Sequence, residues 1–517
     1  MDGLRICLPS TEAGVMQGYG LGRGRPANLT SSDSLGEEKV AASAFLRKIG
    51  ISGVVALFGS FAQASAQILP PQSFQSTVEG DSIAHAARGV WGLPSYGMLF
   101  DFSGRAIGVY HQAGGLCWHD PEVGDAASVN DLVPYYAVGA PPSTAVFATA
   151  PDGTQYRTES LSALPVACTK ELDRKAPGFI FEAIAASLIE LYPFQREHDV
   201  DWAARAKALR PRLATMKTDR ELQALLAELF RNVADPHTSI SGTLDGRPFR
   251  IRAFRGQDFQ RLWQLFEHQS QYNNFLDWVK KSWMPNEFNQ AYALLDPATR
   301  QRALDGGLIW GRLGGNVGFL SINAMAGFRD DADLAADRAL LKPVLDRAMH
   351  DLEDTRALVI DVSHNLGGED EVAADIAARF TDKLREAYSK RAYRGGVDQP
   401  FEMSPYAGTR YLKPVYLLTS ELTSSAAEVF TLRMRNLPQV TQVGESTQGI
   451  FSDSTDKGLP NGWTLSLSTE IYRDPRGNNY EGVGLSPTIP LDVFGGRSMS
   501  EGYRGAILRA AEFAKRR

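Results

Sequence analysis

The sequence predicts an α/β protein: a C-terminal half of alternating strands and helices, preceded by a helical layer and a small β-rich domain. Three observations carry that expectation. From Gly314 onward, apolar runs of strand length alternate with segments of helix length, as in a sheet covered by helices. Between about 176 and 235, apolar residues recur at helical spacing, with Ile180, Ala183, Ile184 and Leu188 on one stripe and Leu222, Leu225, Leu226 and Leu229 on another. From about 72 to 170, short alternating runs such as Gly97-Met-Leu-Phe-Asp-Phe102 and Ala106-Ile-Gly-Val-Tyr110 are separated by turn clusters such as Pro151-Asp-Gly153.

The 517-residue chain is 43% hydrophobic and 22% charged with a net charge of −6, which excludes disordered, collagen-like and multi-spanning classes. That balance gives no overall positive field for a phosphate backbone, so nucleic acid is not expected as the main partner. Residues 1–66 read as a leader and signal peptide. Residues 1 to 46 show no apolar period, then Arg47 and Lys48 precede the apolar run Ile49 to Phe61, and Ala64-Ser65-Ala66 supplies a cleavage site after Ala66. The run of about 13 residues is too short for a hydrocarbon core that needs roughly 20, so no stable membrane span is expected after cleavage. A signal this far into the chain fits translation starting near Val40; a buried apolar helix is the alternative reading. Export puts Cys117 and Cys168 in an oxidising compartment, where they can pair; two buried free thiols are the other option.

The remaining elements follow in order. Residues 72–170 form the β-rich domain and 176–312 a helical cap. The second half of that cap, 245 to 311, reads as mostly helical, with Phe259, Trp263, Phe266, Tyr272, Phe275, Trp278 and Trp283 as core or lid. Residues 313–495 form the α/β core. Its expected strands are Val317 to Ile322, Ala357 to Asp361, Val415 to Leu418 and Trp463 to Tyr472, with helices over about 369–381 and 424–436. Residues 496–517 close the chain as a helix.

Three segments carry chemistry. Val415 to Phe430 runs from an apolar strand through a small-residue turn into a helix, placing Ser425 at a helix N-terminus. A hydroxyl there can be a nucleophile, and the free amides favour an oxyanion forming beside it. A plain N-cap role for Ser424 or Ser425 is the competing reading. Val359 to Gly368 is a buried strand ending in a double glycine that can expose amides to a ligand. Asp235-Pro-His-Thr238 puts His237 on a stiffened loop after a helix, and a neutral imidazole is the usual base for a serine hydroxyl.

Together these segments resemble the S41 family of C-terminal processing (tail-specific) serine peptidases. The likeness covers about 176–495, through the Asn365-Leu-Gly-Gly368 element, Thr423-Ser-Ser-Ala-Ala-Glu428, Val443 to Gly449 and Tyr480 to Pro487, in the family's order. It implies a crotonase/ClpP-like α/β core under a helical layer, with Ser425 attacking and the amides of Ala426 and of Gly367 or its neighbour Gly368 as oxyanion donors. Ile450 stands where better-known members carry a lysine base, and Lys457 lies seven residues further on. The sequence is therefore similar to the PDZ-less branch containing tricorn-like and nisin-resistance peptidases, which use a histidine; His237 fits that role. Glu481 occupies the place of the glutamate that orients the ring, while Pro236 stands where the branch has a serine, and Asp235 is a substitute or a turn former. His364 takes the position where many relatives carry arginine, to line the site or to form a surface turn. The remaining histidines lack zinc spacing, so no metal or cofactor is expected.

The signal pattern and the resemblance together imply an exported, periplasmic or secreted serine endopeptidase acting on peptides or proteins through an acyl-enzyme at Ser425, His237 and Glu481. A catalytically inactive peptide- or ligand-binding protein of the cell envelope is the alternative, and a sugar-binding or structural envelope protein is a third.

Overall fold

The computed structural model describes residues 68–104, 107–139, 143–252, 256–272 and 274–516; the leader, signal and Val40 expectations lie outside them. At its centre is a seven-stranded sheet in the order Gln301–Ala303, Leu308–Leu313, Val317–Ile322, Ala357–Asp361, Val415–Thr419, Val440–Gly444 and Ile489–Pro490. The first three strands pair antiparallel and the rest are parallel. Val317–Ile322, Ala357–Asp361 and Val415–Thr419 are buried along their whole length, which is why their sequences are continuous apolar runs.

Strand alternation sorts these residues onto two faces. Leu320, Ile322, Leu358, Ile360 and Leu417 pack with the helices Leu334–Leu352, Asp370–Ala377 and Ala426–Arg435. Phe319, Val359, Tyr416 and Leu418 pack with the C-terminal helix Met499–Lys515 and with Phe275, Trp278 and Trp283. The aromatic run is therefore core, as its stripe implies.

The helical reading of 245 to 311 holds for Gln257–Phe266, Phe275–Trp278 and Met284–Leu294 and fails on both sides. Ser239–Leu244 and Arg247–Ile251 form a hairpin whose two connecting residues, Asp245 and Gly246, both have positive φ, at 51° and 73°. An Asp-Gly pair between apolar runs is the local signal for such a turn. Gln301–Ala303 and Leu308–Leu313 are the edge of the central sheet, so the core begins before residue 313.

The β-rich region is an eight-stranded antiparallel sheet spanning Gln75 to Leu161. It is bolted to the rest of the chain: Gln155 and Gln399 exchange side chain–backbone hydrogen bonds at 2.9 and 2.7 Å, Trp118 Nε1 donates to the Gly458 carbonyl at 3.0 Å, and Arg338 binds both Asp152 oxygens at 2.9 Å. The helical layer, Pro177–Leu191, Trp202–Leu209 and Asp219–Leu229, shares one apolar cluster with Trp118, Ile240, Trp463 and Leu465. It delivers His237 to the hairpin Ser239–Leu244, which pairs with Thr464–Ser468.

Cys117 and Cys168 are disulfide-bonded with Cα atoms 4.7 Å apart, closing a loop across a sequence separation of 51. Constraining a loop of that length in the unfolded chain is worth about 4 kcal/mol. Cys117→Ala/Cys168→Ala protein should unfold at a lower temperature than the oxidised parent, and reductant should lower the parent's melting temperature but not the variant's; calorimetry with and without dithiothreitol checks both.

Candidate active site

Ser425 sits at the N-cap position of the helix Ala426–Arg435, yet its side chain makes no capping hydrogen bond. Its backbone is at φ 56° and ψ −128°, a region that costs a non-glycine residue about 1–3 kcal/mol and persists only where neighbours impose it. The neighbours are visible. Thr423 Oγ1 donates to the Val362 carbonyl at 2.9 Å, Ser420 Oγ to the Ser363 carbonyl at 2.5 Å, and the Ser424 amide to the Asn365 carbonyl at 3.1 Å. These bonds clamp the turn before Ser425 to the loop that follows Ala357–Asp361. The Ser425 carbonyl accepts from the amides of Glu428 and Val429 at 2.7 and 3.1 Å, starting the helix. A half-buried hydroxyl with no hydrogen-bond partner among the described residues is left at its tip.

The double glycine lies directly against it. A Cβ on Gly367, whose φ is 105°, would stand 2.6 Å from Ser425 Cβ and 3.1 Å from its Oγ, so only glycine fits. The two amides of the pair have different fates. Gly367 donates to Asn365 Oδ1 at 2.8 Å, while Asn365 Nδ2 anchors on the Ile322 carbonyl at 2.9 Å. Among the described residues neither Gly368 nor Ala426 spends its amide on a hydrogen bond. Of the two glycines named from the sequence, Gly367 is thus committed elsewhere and Gly368 is free to donate, together with Ala426.

His237 is half-buried on its loop. Asp235 shapes the turn: Oδ1 accepts from the His237 amide at 3.0 Å, and Oδ2 from Thr238 Oγ1 and Ser468 Oγ at 2.8 and 2.9 Å. His237 Nδ1 lies 2.7 Å from the Ser452 carbonyl, which can only accept, so the proton is on Nδ1 and the lone pair on Nε2. Glu481 makes no hydrogen bond to the ring. Its Oε2 accepts from the amides of Phe451 and Ser452 at 2.8 and 3.2 Å, so it fixes the carbonyl that orients the ring. Burial, with Asp235 and Glu428 nearby, pushes its carboxyl well above the usual range.

Glu428, to which sequence reasoning gave no role of its own, completes the arrangement. It accepts from Thr447 Oγ1, the Gly449 amide and the Ile450 amide at 2.6, 2.7 and 2.8 Å. Burial raises it to about 7, against those hydrogen bonds. The helix headed by Ser425 is thereby tied to the strap 447–452, whose far end holds His237. The serine hydroxyl and the imidazole share the strap but no direct hydrogen bond. Ser425-Ala-Ala-Glu428 has capping-box spacing, which disguises a glutamate whose carboxyl, besides reaching back to the Ser425 amide, takes the strap. Asn365 and Ser452 were also missed, since their roles arise from contacts distant in sequence.

Two further residues leave the site. Lys457 Nζ donates to the Tyr96 carbonyl at 2.7 Å under the β-rich sheet; burial lowers it to about 7. His364 is neither a site lining nor a surface turn: it is buried among Trp283, Phe288, Phe494 and Tyr503, and burial lowers it to about 3.

Residues 316–491 match the family model of peptidase family S41. Over 177 residues the chain is 27% identical to a probable CtpA-like serine protease of Staphylococcus haemolyticus, covering 34% of this chain and 33% of that one. Over 142 residues it is 25% identical to a carboxyl-terminal-processing protease of Synechocystis, covering 27% and 32%. Each match spans about a third of the relative's length. A putative peptidase from Parabacteroides merdae has a similar fold, with a TM-score of 0.50 and 24% identity over 66% of this chain and 96% of that one. Fold and match coincide: residues 316–491, which match peptidase family S41, hold the parallel part of the α/β sheet.

Because burial raises Glu428 to about 7, the folded state keeps its proton at pH values where the unfolded chain has lost it, so this group costs stability as pH rises from about 4.5 to 7. Glu428→Gln removes that cost. Relative to the parent, its stability in urea should improve between pH 5 and pH 8 by up to the order of 3 kcal/mol.

Proposed function

We propose that the chain is an exported serine peptidase that hydrolyses peptide bonds through an acyl-enzyme on Ser425. The observation that supports this best is the serine's setting: a strained backbone, an unspent hydroxyl, the unspent amide of Ala426 beside it, and the unspent amide of Gly368, next in the chain to the glycine that packs on Ser425. A hydroxyl recruited only to cap its helix would be bonded to that helix.

In this reading His237 Nε2 takes the Ser425 proton as Oγ attacks the substrate carbonyl, and later gives it to the leaving amine. The Ala426 and Gly368 amides hold the negative oxygen of the tetrahedral intermediate, an interaction worth roughly 10²–10³ in rate per donor in such sites. Glu481 acts as a positioning residue through the Ser452 carbonyl. Unliganded sites are commonly loose, and the ring closes on the hydroxyl when peptide is bound. Export is supported by the Cys117–Cys168 disulfide, a bond that persists in oxidising compartments. The described residues contain no helix long and apolar enough to cross a membrane.

The missing direct bond between Ser425 and His237 favours a second reading, a binding protein on the same fold that has lost catalysis. A fluorophosphonate probe separates the two. It should label the parent and not Ser425→Ala, and peptide hydrolysis should fall at least about 10⁴-fold in Ser425→Ala and nearly as far in His237→Ala, with melting temperatures retained. Undiminished hydrolysis by Ser425→Ala would overturn the assignment; an unlabelled parent inert towards peptide libraries would leave the binding protein.

A further inference from the structure

Gly368 forms part of the wall of a second feature. Between the β-rich sheet and the core lies a cavity of about 450 Å³, within the roughly 300–1,000 Å³ of ligand pockets. The β-rich side supplies Leu93, Phe100 and Val133, and the core side supplies Gly368, Glu369 and Glu371. Carboxylates dominate the polar lining; its one basic side chain is Lys390. That lysine is already committed, with Nζ 2.6 Å from Asp453, 2.9 Å from the Tyr472 hydroxyl and 3.3 Å from Glu470. Asp370 accepts from the Tyr472 and Tyr388 hydroxyls at 2.9 and 3.2 Å.

Glu369 and Glu371 are different. Among the described residues neither side chain forms a hydrogen bond or ion pair with another residue, and Glu371 is only 9% exposed. Burial, then repulsion from neighbouring carboxyls, holds Glu371 at about 7 and Glu369 well above its ordinary range. Two acids with no direct ion pair, of which Glu369 follows Gly368 in the chain and Glu371 feels, among cations, only Lys390, itself committed to other carboxylates, share the cavity with apolar side chains and suit a ligand with an alkyl stem and a cationic head.

We propose that this cavity is the specificity pocket of the peptidase and takes an arginine or lysine side chain of the substrate, the stem against Leu93, Phe100 and Val133 and the cation at Glu369 and Glu371. The inference deepens the peptidase reading and rests on it, because Gly368 serves both the oxyanion and the cavity wall. A guanidinium has the further advantage of matching carboxylates with two parallel donors. The β-rich domain then contributes to specificity by closing one wall of the pocket.

The test separates binding from turnover by using Ser425→Ala protein. Acetyl-Ala-Ala-Arg-Ala-amide and its citrulline counterpart, which keeps the shape and lacks the charge, are titrated calorimetrically at pH 8. The arginine peptide should bind at least tenfold more tightly, and the preference should drop below threefold when Glu369→Gln and Glu371→Gln are added. Equal binding of the two peptides, no binding of either, or a preference that survives both glutamines would overturn the pocket. The glutamines replace unpartnered buried acids, so a melting temperature at or above that of Ser425→Ala is expected and guards against misfolding. Fluorophosphonate labelling of the parent reports the chemistry independently, so a failed pocket and a failed nucleophile give different results.

Discussion

The candidate site depends on six residues of backbone, Thr447 to Ser452, held by two buried carboxyls. Glu428 takes the front of this strap and Glu481 its back, and the Ser452 carbonyl between them and His237 sets the ring's tautomer. Each acid is desolvated, and the hydrogen bonds it takes from the strap offset only part of that cost. Removing either leaves buried amides unpaired and frees the strap to move. The helix tip and the imidazole loop, far apart in sequence, are thus registered to one another by the same short segment.

A second constraint fixes the other half of the site. Asn365 binds the Ile322 carbonyl and the Gly367 amide at once, and the glycine packs against Ser425 at a distance no Cβ would permit. The serine's strained backbone is held by the bonds of Ser420, Thr423 and Ser424 to the same loop. Strain of about 1–3 kcal/mol at one residue is small beside a core in which two helical layers enclose a buried sheet. It is sustained because the turn cannot relax without breaking those bonds.

The β-rich domain and the core share side chains as if they had folded together. Lys457 of the core donates into the β-rich sheet, Tyr96 of that sheet bonds Glu470 of the core, and Gln155 and Gln399 pair across the seam. The cavity between them draws its apolar wall from Leu93, Phe100 and Val133 of the β-rich region and its acids from both parts, Asp120, Glu122 and Asp131 on one side and Glu369 and Glu371 on the other.

Local pattern was enough for the periodic elements. The buried strands around Val359 and Leu417, the helices after Gly368 and Ser425 and the stripes of 180–188 and 222–229 were legible because burial writes a period into the sequence. The edge strands Gln301–Ala303 and Leu308–Leu313 were not, since their aromatic and apolar residues mimic a helical stripe and only pairing with Val317–Ile322 makes them strands. By itself the sequence determined the nucleophile candidate, the imidazole candidate and the glycines, residues whose type alone carries their chemistry. Tertiary structure decided which glycine keeps a free amide, that Glu481 bonds the Phe451 and Ser452 amides, that Lys457 faces the β-rich sheet and that His364 is sealed among aromatics. Those outcomes turn on hydrogen bonds between residues far apart in the chain, and no local period or spacing encodes where a side chain's partner will come from.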